Sequence, residues 1–255
     1  ALKEFEKLGF PSKKDEAWKY TSLKSVIKED FTIFSKKKNV LDFKNVKNYF
    51  LDNTETYKIV FVDGFFDPFL SQTSHDGVDI CILSAALTKP VYSKIISKYF
   101  DTSINTNDSL SLVNTAFAKE GVYVHIPKNK ILDKPIEVLH FATGNEAALM
   151  LQPRNLIVVE DNAQVEIIET HQSLTENPIF TNSVTEIFVG QNAHLDYYKI
   201  QNDRLMSSLI DNTYISQEKN STAKVHTFSF GGKLTRNNLN YFQKGSYINS
   251  TMKGI

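Results

Sequence analysis

The sequence predicts a mainly β protein, a β-helix (solenoid) preceded by an N-terminal α/β helical region. Three observations carry this. Apolar residues recur at helical spacing through much of the first 120 residues; after Gly121 nearly every segment reads as a short strand; and those strands repeat with a period of about thirty residues. The organisation expected is residues 1–120 as the N-terminal helical and α/β region and residues 121–255 as the β-helix core.

Within the first region, "LKEFEKLGF" and "VLDFKNVKNYFL" have helical periodicity. Between them lies "PSKKDEAWKYTSL", where Ser12 followed by Asp15 forms an N-cap signature and Ala17, Trp18 and Tyr20 begin a short amphipathic segment. Trp18 is the only tryptophan and stands among Lys13, Lys14, Lys19 and Lys24. It reads as an anchor pinning this polar stretch onto the protein body. From Tyr57, "YKIVFVDGFFDPFLS" is a β run with turn signals at Asp63-Gly64 and Asp67-Pro68. "GVDICILSAAL" is a strand leading into a helix. "KPVYSKIISKYF" puts Val91, Tyr92, Ile95, Ile96, Tyr99 and Phe100 on one helical face, with Pro90 in the first turn. "NDSLSLVNTAFAKEG" is a further helix, capped by Asn107 or Asp108, with Leu110, Val113 and Phe117 inward and Gly121 as a stop.

The strands after Gly121 are "VYVHI", "IEVLHF", "NLIVVED", "QVEIIET", "VTEIFVG", "AHLDYYKIQ" and "AKVHTFSF". Aligning "DNAQVEII", "QNAHLDYY" and "STAKVHTF" stacks Ala163, Ala193 and Ala223 at intervals of 30 residues. A strand repeat of this length is a solenoid signature, because each coil buries its face only against the next. The alignment predicts an interior column of Val165, Leu195 and Val225. Beside it runs an outward column of Glu166, Asp196 and His226, in which His226 or a nearby lysine offsets the two carboxylates. Ile168, Tyr198 and Phe228 then make the outer face apolar, which calls for a cover from the chain's own helices or from another subunit.

Composition limits the function. Lys plus Arg is 29 and Asp plus Glu is 29, so the net charge is zero and the overall field favours neither nucleic acid nor an anionic membrane. No apolar run is long enough to span a bilayer, and "ALKEFEKLGF" lacks a signal-peptide centre. Cys81, alone in the chain, excludes an internal disulfide or a multi-cysteine cage and reads as a small buried thiol. A cytoplasmic protein is expected.

Several motifs invite chemistry and fail on inspection. Gly232-Lys233 resembles the end of a phosphate loop, but Thr227 stands where the first glycine belongs and Leu234 where Ser or Thr belongs. Gly231-Gly232 reads instead as a tight turn, with Arg236 braced on nearby carbonyls or carboxylates. Glu160, Asp161, Glu166, Glu169 and Asp196 could supply the paired carboxylates of a polysaccharide lyase or glycosidase, against the reading of a solvated face. His194 and Asp196 share a strand face but lack a third ligand. No GxSxG nucleophile elbow is present. No catalytic, cofactor-binding or metal residue is assigned.

"GFPSKKDEAWKYTSL", "VFVDGFFDPFLS", "NTAFAKEGVYVHIPKN", "PRNLIVVEDNAQVEIIET", "SVTEIFVGQNAHLDYYKIQ" and "GGKLTRNNL" occur in the order found in the SufB/SufD family of the SUF iron-sulfur cluster assembly system. The chain resembles that family over most of its length, the first motif being of the SufD type. The resemblance implies a right-handed parallel β-helix acting as a non-catalytic scaffold with a SufB-like β-helix paralogue and the ATPase SufC. ATP would be used by SufC, the iron-sulfur cluster assembled by the complex and iron entry assisted, with no cofactor held by this segment. It also implies further coils and ATPase-docking helices beyond "GSYINSTMKGI". In isolation the segment could form a homodimer. A carbohydrate-active β-helix enzyme and a purely structural solenoid are the rival classes.

Overall fold

Alternation of inward and outward side chains along residues 122–254 builds two facing parallel sheets. The computed structural model describes residues 1–33, 40–73, 77–104, 108–144 and 146–255. One sheet contains β3 (Asp79–Ile82), β4 (Val122–Ile126), β7 (Arg154–Val159), β9 (Ile179–Val189), β11 (Ser207–Gln217) and β13 (Leu234–Gln243), in that spatial order. The other contains β2 (Phe65–Phe66), β1 (Tyr57–Val62), β5 (Ile136–Ala142), β8 (Gln164–Ser173), β10 (His194–Gln201), β12 (Thr222–Ser229) and β14 (Asn249–Gly254). A short β6 (Leu149–Leu151) pairs with β9. Each coil thus places one strand in each sheet, giving a β-solenoid of about four turns.

One corner of four successive coils turns on a left-handed asparagine, and Tyr247, at φ 58°, takes the corresponding position in the next. Asn129, Asn162, Asn192 and Asn220 have φ of 63°, 58°, 56° and 59°. Their amides form a ladder, each Nδ2 donating to the Oδ1 of the residue one coil back at 2.9, 2.9 and 3.0 Å. Asparagine suits the position because its short polar side chain tolerates this conformation and can bond locally.

Val165 pairs with Leu195, and Glu166 with Asp196, as the repeat predicts. The next coil is two residues shorter. Leu195 pairs with Ala223, Tyr197 with Val225 and Tyr198 with His226, so the thirty-residue column does not extend to Ala223, Val225, His226 and Phe228. Lys224 takes the place expected for His226 beside Asp196, with Nζ 3.2 Å from the carboxylate.

Between the sheets lies an apolar core that includes Ile59, Val124, Val138, Ile157, Val165, Ile187, Leu195 and Val225. The N-terminal elements cover the outside. Leu83 and Ala86 of α4 (Leu83–Thr88) and Ile96 of α5 (Pro90–Tyr99) pack on Tyr123, Leu156 and Val158. Leu110 and Val113 of α6 (Ser109–Phe117) join Trp18, Leu23, Val26, Met150, Phe180 and Ile210 on the same sheet. Val46 and Phe50 pack on Val60, Val62, Leu139 and Phe141, so the chain itself covers the start of the second sheet. Over β8, β10 and β12, none of the apolar clusters among the described residues lies against Ile168, Tyr198, Ile200 and Phe228. β1 and β3 extend the two sheets from within the first 120 residues, β1 parallel to β5 and β3 antiparallel to β4.

Local expectations are met unevenly. Ser12 and Asp15 form one half of a capping box: the Ser12 N–H donates to Asp15 Oδ2 at 2.7 Å, while Ser12 Oγ accepts from the Lys14 N–H at 3.2 Å and not from Asp15. The box leads into a single 3₁₀ turn at Glu16–Trp18 rather than a longer helix, and Tyr20 is 91% exposed. The opening helices are α1 (Leu2–Leu8), α2 (Lys24–Ile27) and α3 (Phe43–Val46). Asp108 caps α6 through the Leu110 and Ser111 N–H groups, whereas Asn107 lies outside the described residues. Val91 is exposed although its helical neighbours Ile95 and Ile96 pack inward. Gly121 does not end α6, which stops at Phe117; a Cβ at Gly121 would lie 1.7 Å from the Arg154 carbonyl oxygen, so its role is close strand approach.

Candidate functional site

Away from the asparagine corner the solenoid interior becomes polar. In β8, Val165, Ile167, Glu169 and His171 all point inward, so alternation that begins with aliphatic residues ends with a carboxylate and an imidazole. Parallel pairing sets His140 of β5 against His171, and Lys199 of β10 against Glu169. The opposite sheet contributes Asn155, Thr185, Asp211 and Thr213.

Glu169 is the hub and is 1% exposed. Its Oε1 lies 3.2 Å from His140 Nε2, accepts from Asn155 Nδ2 at 3.2 Å and stands 3.5 Å from His171 Nε2. Its Oε2 accepts from the Tyr197 hydroxyl and lies 3.7 Å from Lys199 Nζ. Lys199 is held more closely by Asp211 and donates to Thr213 Oγ1 at 2.8 Å. The His140 and His171 rings stack with centroids 4.6 Å apart and planes 7° from parallel, and Phe61 continues the stack on His140 at 5.1 Å.

These surroundings set the charges. Burial alone would raise the Glu169 carboxyl, yet the Lys199 ammonium and the two imidazoles hold it well below the usual carboxylate range. Burial pushes His140 down, and the neighbouring His171 adds to that. Burial also opposes charge on His171, but the Glu169 carboxylate outweighs it and raises the imidazole. Burial, then the Glu169 charge, lifts the Tyr197 phenol well above its ordinary value. The arrangement therefore favours an ionised Glu169, a proton on His171 and a neutral His140. Among the described residues, His140, Glu169 and His171 form a group of three potential metal ligands, their donor atoms all within 4.8 Å of one another.

The residues singled out by sequence fall elsewhere. Glu160 and Asp161 sit in a coil turn, where Asp161 Oδ2 accepts from Lys128 Nζ at 2.8 Å. Glu166 and Asp196 are neighbours on the outer face, apart from the buried Glu169. His194 is exposed on that face beside Asp196. Gly231 passes so close to Asp203 that a Cβ would lie 2.3 Å from its carbonyl oxygen, Gly232 has φ 83°, and Lys233 Nζ donates to the Ser25 carbonyl at 2.9 Å. That is a turn tied to the N-terminal segment. Arg236 is braced by the side-chain carbonyl of Asn238, with Nε donating to Oδ1 at 2.8 Å, and by the Thr21 hydroxyl at 3.1 Å. Cys81 is half-buried, and burial pushes its thiol up. No helix among the described residues is long and apolar enough to cross a membrane. The His140–Glu169–His171 group was missed because Glu169 reads as part of a solvated face; the inward parity of Val165, Ile167, Glu169 and His171 is the signal that could have found it.

Comparison with known proteins agrees with this architecture. The SufBD protein N-terminal region matches residues 1–138, and the SufBD core domain of SUF-system FeS cluster assembly matches residues 140–255. An iron-sulfur cluster assembly SufBD family protein of Synechocystis sp. is 32% identical over 252 residues, covering 93% of this chain and 54% of the relative. The iron-sulfur cluster assembly protein SufD of Escherichia coli is 24% identical over 255 residues, covering 99% of this chain and 56% of the relative. Protein ABCI7, chloroplastic, of Arabidopsis thaliana is 26% identical over 247 residues, covering 92% and 50%. The chain thus spans about half the length of the curated relatives it matches. With both family regions laid end to end on one solenoid, the chain belongs to the SufBD family of the SUF iron-sulfur cluster assembly system and is SufD-like.

Proposed function

We propose that this chain serves in iron-sulfur cluster assembly as a non-catalytic scaffold, pairing in the cytoplasm with a SufB-like β-helix paralogue and the ATPase SufC. The observation that carries the reading is the match of both SufBD regions, residues 1–138 and 140–255, to a solenoid whose N-terminal segments are packed against it through Trp18, Val46 and Phe50. A solenoid suits such a role, since its stacked coils give a long rigid surface. In this reading SufC hydrolyses ATP, iron and the assembled cluster are cargo of the complex, and Lys233 serves its bond to Ser25 rather than a phosphate. Co-expression of the natural full-length protein with SufB-like and SufC partners tests it. A stable three-component complex whose ATP hydrolysis is lost on inactivating SufC alone is expected; isolation as a lone monomer, or hydrolysis that survives SufC inactivation, would count against it.

A further inference from the structure

We propose that His140, Glu169 and His171 form an intrinsic binding site for a divalent first-row transition-metal ion inside the solenoid, reached through the narrow cleft that His140 lines. The donor set comes first. Two imidazole nitrogens and one carboxylate oxygen suit Zn(II), Co(II) or Fe(II), and are a poor match for calcium or magnesium, which take oxygen ligands. Three donors on two adjacent coils also differ from an iron-sulfur cluster site, which needs about four ligands, chiefly thiolates.

The placement of charge points the same way. Lys199 is engaged by Asp211 and Thr213, and its ammonium stands 3.7 Å from Glu169, so the nearest full positive charge is committed to another carboxylate. Glu169 turns its Oε1 toward the two imidazoles, 3.2 Å from His140 Nε2 and 3.5 Å from His171 Nε2, where a cation would meet the carboxylate and both ring nitrogens. His171 is 4% exposed and its Nε2 meets the same Glu169 oxygen that His140 reaches, so both ring nitrogens converge on one carboxylate oxygen. The Tyr197 hydroxyl and the Asn155 amide, both bonded to Glu169, would orient the ligating carboxylate as supporting groups commonly do.

Access and geometry are compatible with an ion of this size. His140 lines a cleft of about 40 Å³ with Asp63, Gly64 and Gln152, room for a small number of waters. Imidazole lone pairs lie in the ring plane, and the two planes are now 7° from parallel, so loading requires the rings to turn about their Cβ–Cγ bonds until both Nε2 atoms converge on the ion. The backbone ladder stays in place.

The experiment titrates the metal-stripped protein with Co(II), followed by visible absorption and calorimetry, with Zn(II) as competitor. One equivalent is expected to bind. His140→Gln and His171→Gln should each weaken binding by about 100-fold or more, while His194→Gln, on the exposed outer face, leaves it unchanged. Glutamine occupies the next rung as Gln201, so it is a conservative replacement. Absence of saturable binding, or affinity unchanged in both glutamine variants, would overturn the proposal. Should those variants fail to fold, histidine ¹⁵N spectra of the wild-type protein with and without Zn(II) decide: shifts at the Nε2 of both His140 and His171 support it, and shifts confined to other histidines reject it.

Discussion

The guanidinium of Arg236 lies 4.3 Å from the centre of the Trp18 ring, joining a strand late in the solenoid to a turn near the start of the chain. Trp18 is 6% exposed and packs on Leu110, Phe180 and Ile210. This is how a stretch rich in lysine keeps its fixed position: one aromatic is buried while Tyr20 and the charges stay in water. Trp18→Ala should therefore destabilise the protein by roughly 3 to 5 kcal/mol in urea unfolding. Tryptophan emission from the folded wild type should lie to the blue of a water-exposed indole; emission at the free-indole wavelength would contradict the burial.

The asparagine ladder makes a second expectation. Asn192 sits at φ 56°, with its amide bonded to Asn162 and accepting from Asn220. Asn192→Ala places a Cβ-bearing residue without local bonding in the left-handed region and should cost about 1 to 2 kcal/mol, or slightly more with the ladder bonds. Asn192→Gly keeps the conformation accessible and should cost less. Equal losses for the two variants would show that the left-handed backbone is not the source of the preference.

How far the fold could be read from sequence depends on the physics of alternation. Sliding a strand by one residue turns every side chain over, but sliding it by two preserves inside and outside. The match of Ala193 with Ala223 was therefore as acceptable to the pattern as the true pairing of Leu195 with Ala223, and the shorter coil went undetected. Strands β11 and β13, "SSLIDNTYISQ" and "LTRNNLNYFQ", were missed for a related reason. Their inward positions include Asp211, Thr213 and Asn237 ahead of Ile215, Leu239 and Tyr241, so the apolar alternation is interrupted. The same polarity hid Glu169 and His171, whose partners are separated from them by whole coils. Short-range signals such as the Asp63-Gly64 turn, with φ of 50° and 81°, and Pro90 at the start of α5 were legible because their causes are local.

Gly121 offers a sharper test of coil packing than any helix-end argument. A Cβ there would meet the Arg154 carbonyl oxygen at 1.7 Å and its carbonyl carbon at 2.4 Å, both backbone atoms that rotation cannot move aside. Gly121→Ala should cost about 3 kcal/mol through displaced strands. Gly77→Ala provides the contrast, because nothing among the described residues lies within 4 Å of a Cβ there, and its φ of 76° is what opposes substitution. Comparing their urea midpoints separates steric exclusion from backbone preference; a Gly121→Ala protein as stable as wild type would remove the close approach as the reason for glycine.

Acid should weaken the coil corner at Asp161. A hydrogen bond from Lys128 holds its carboxyl below the usual carboxylate range, against the opposing effect of burial, and the Gln191 N–H assists. With the folded value below the unfolded one, the unfolded chain binds the proton first as pH falls. The contribution is fully present above the unfolded value of about 3.9, is lost as pH falls through the depressed folded value, and is absent below both. Both side chains are substantially exposed, at 62% for Lys128 and 41% for Asp161, so the effect is small and screened by salt. Asp161→Asn should accordingly be less stable than wild type near neutrality, with the gap closing on acidification and narrowing in high salt. Urea midpoints measured across pH for both proteins provide the check. A gap that persists unchanged into strong acid would mean that the Gln191 contact, which an asparagine can still make, or packing alone governs this turn.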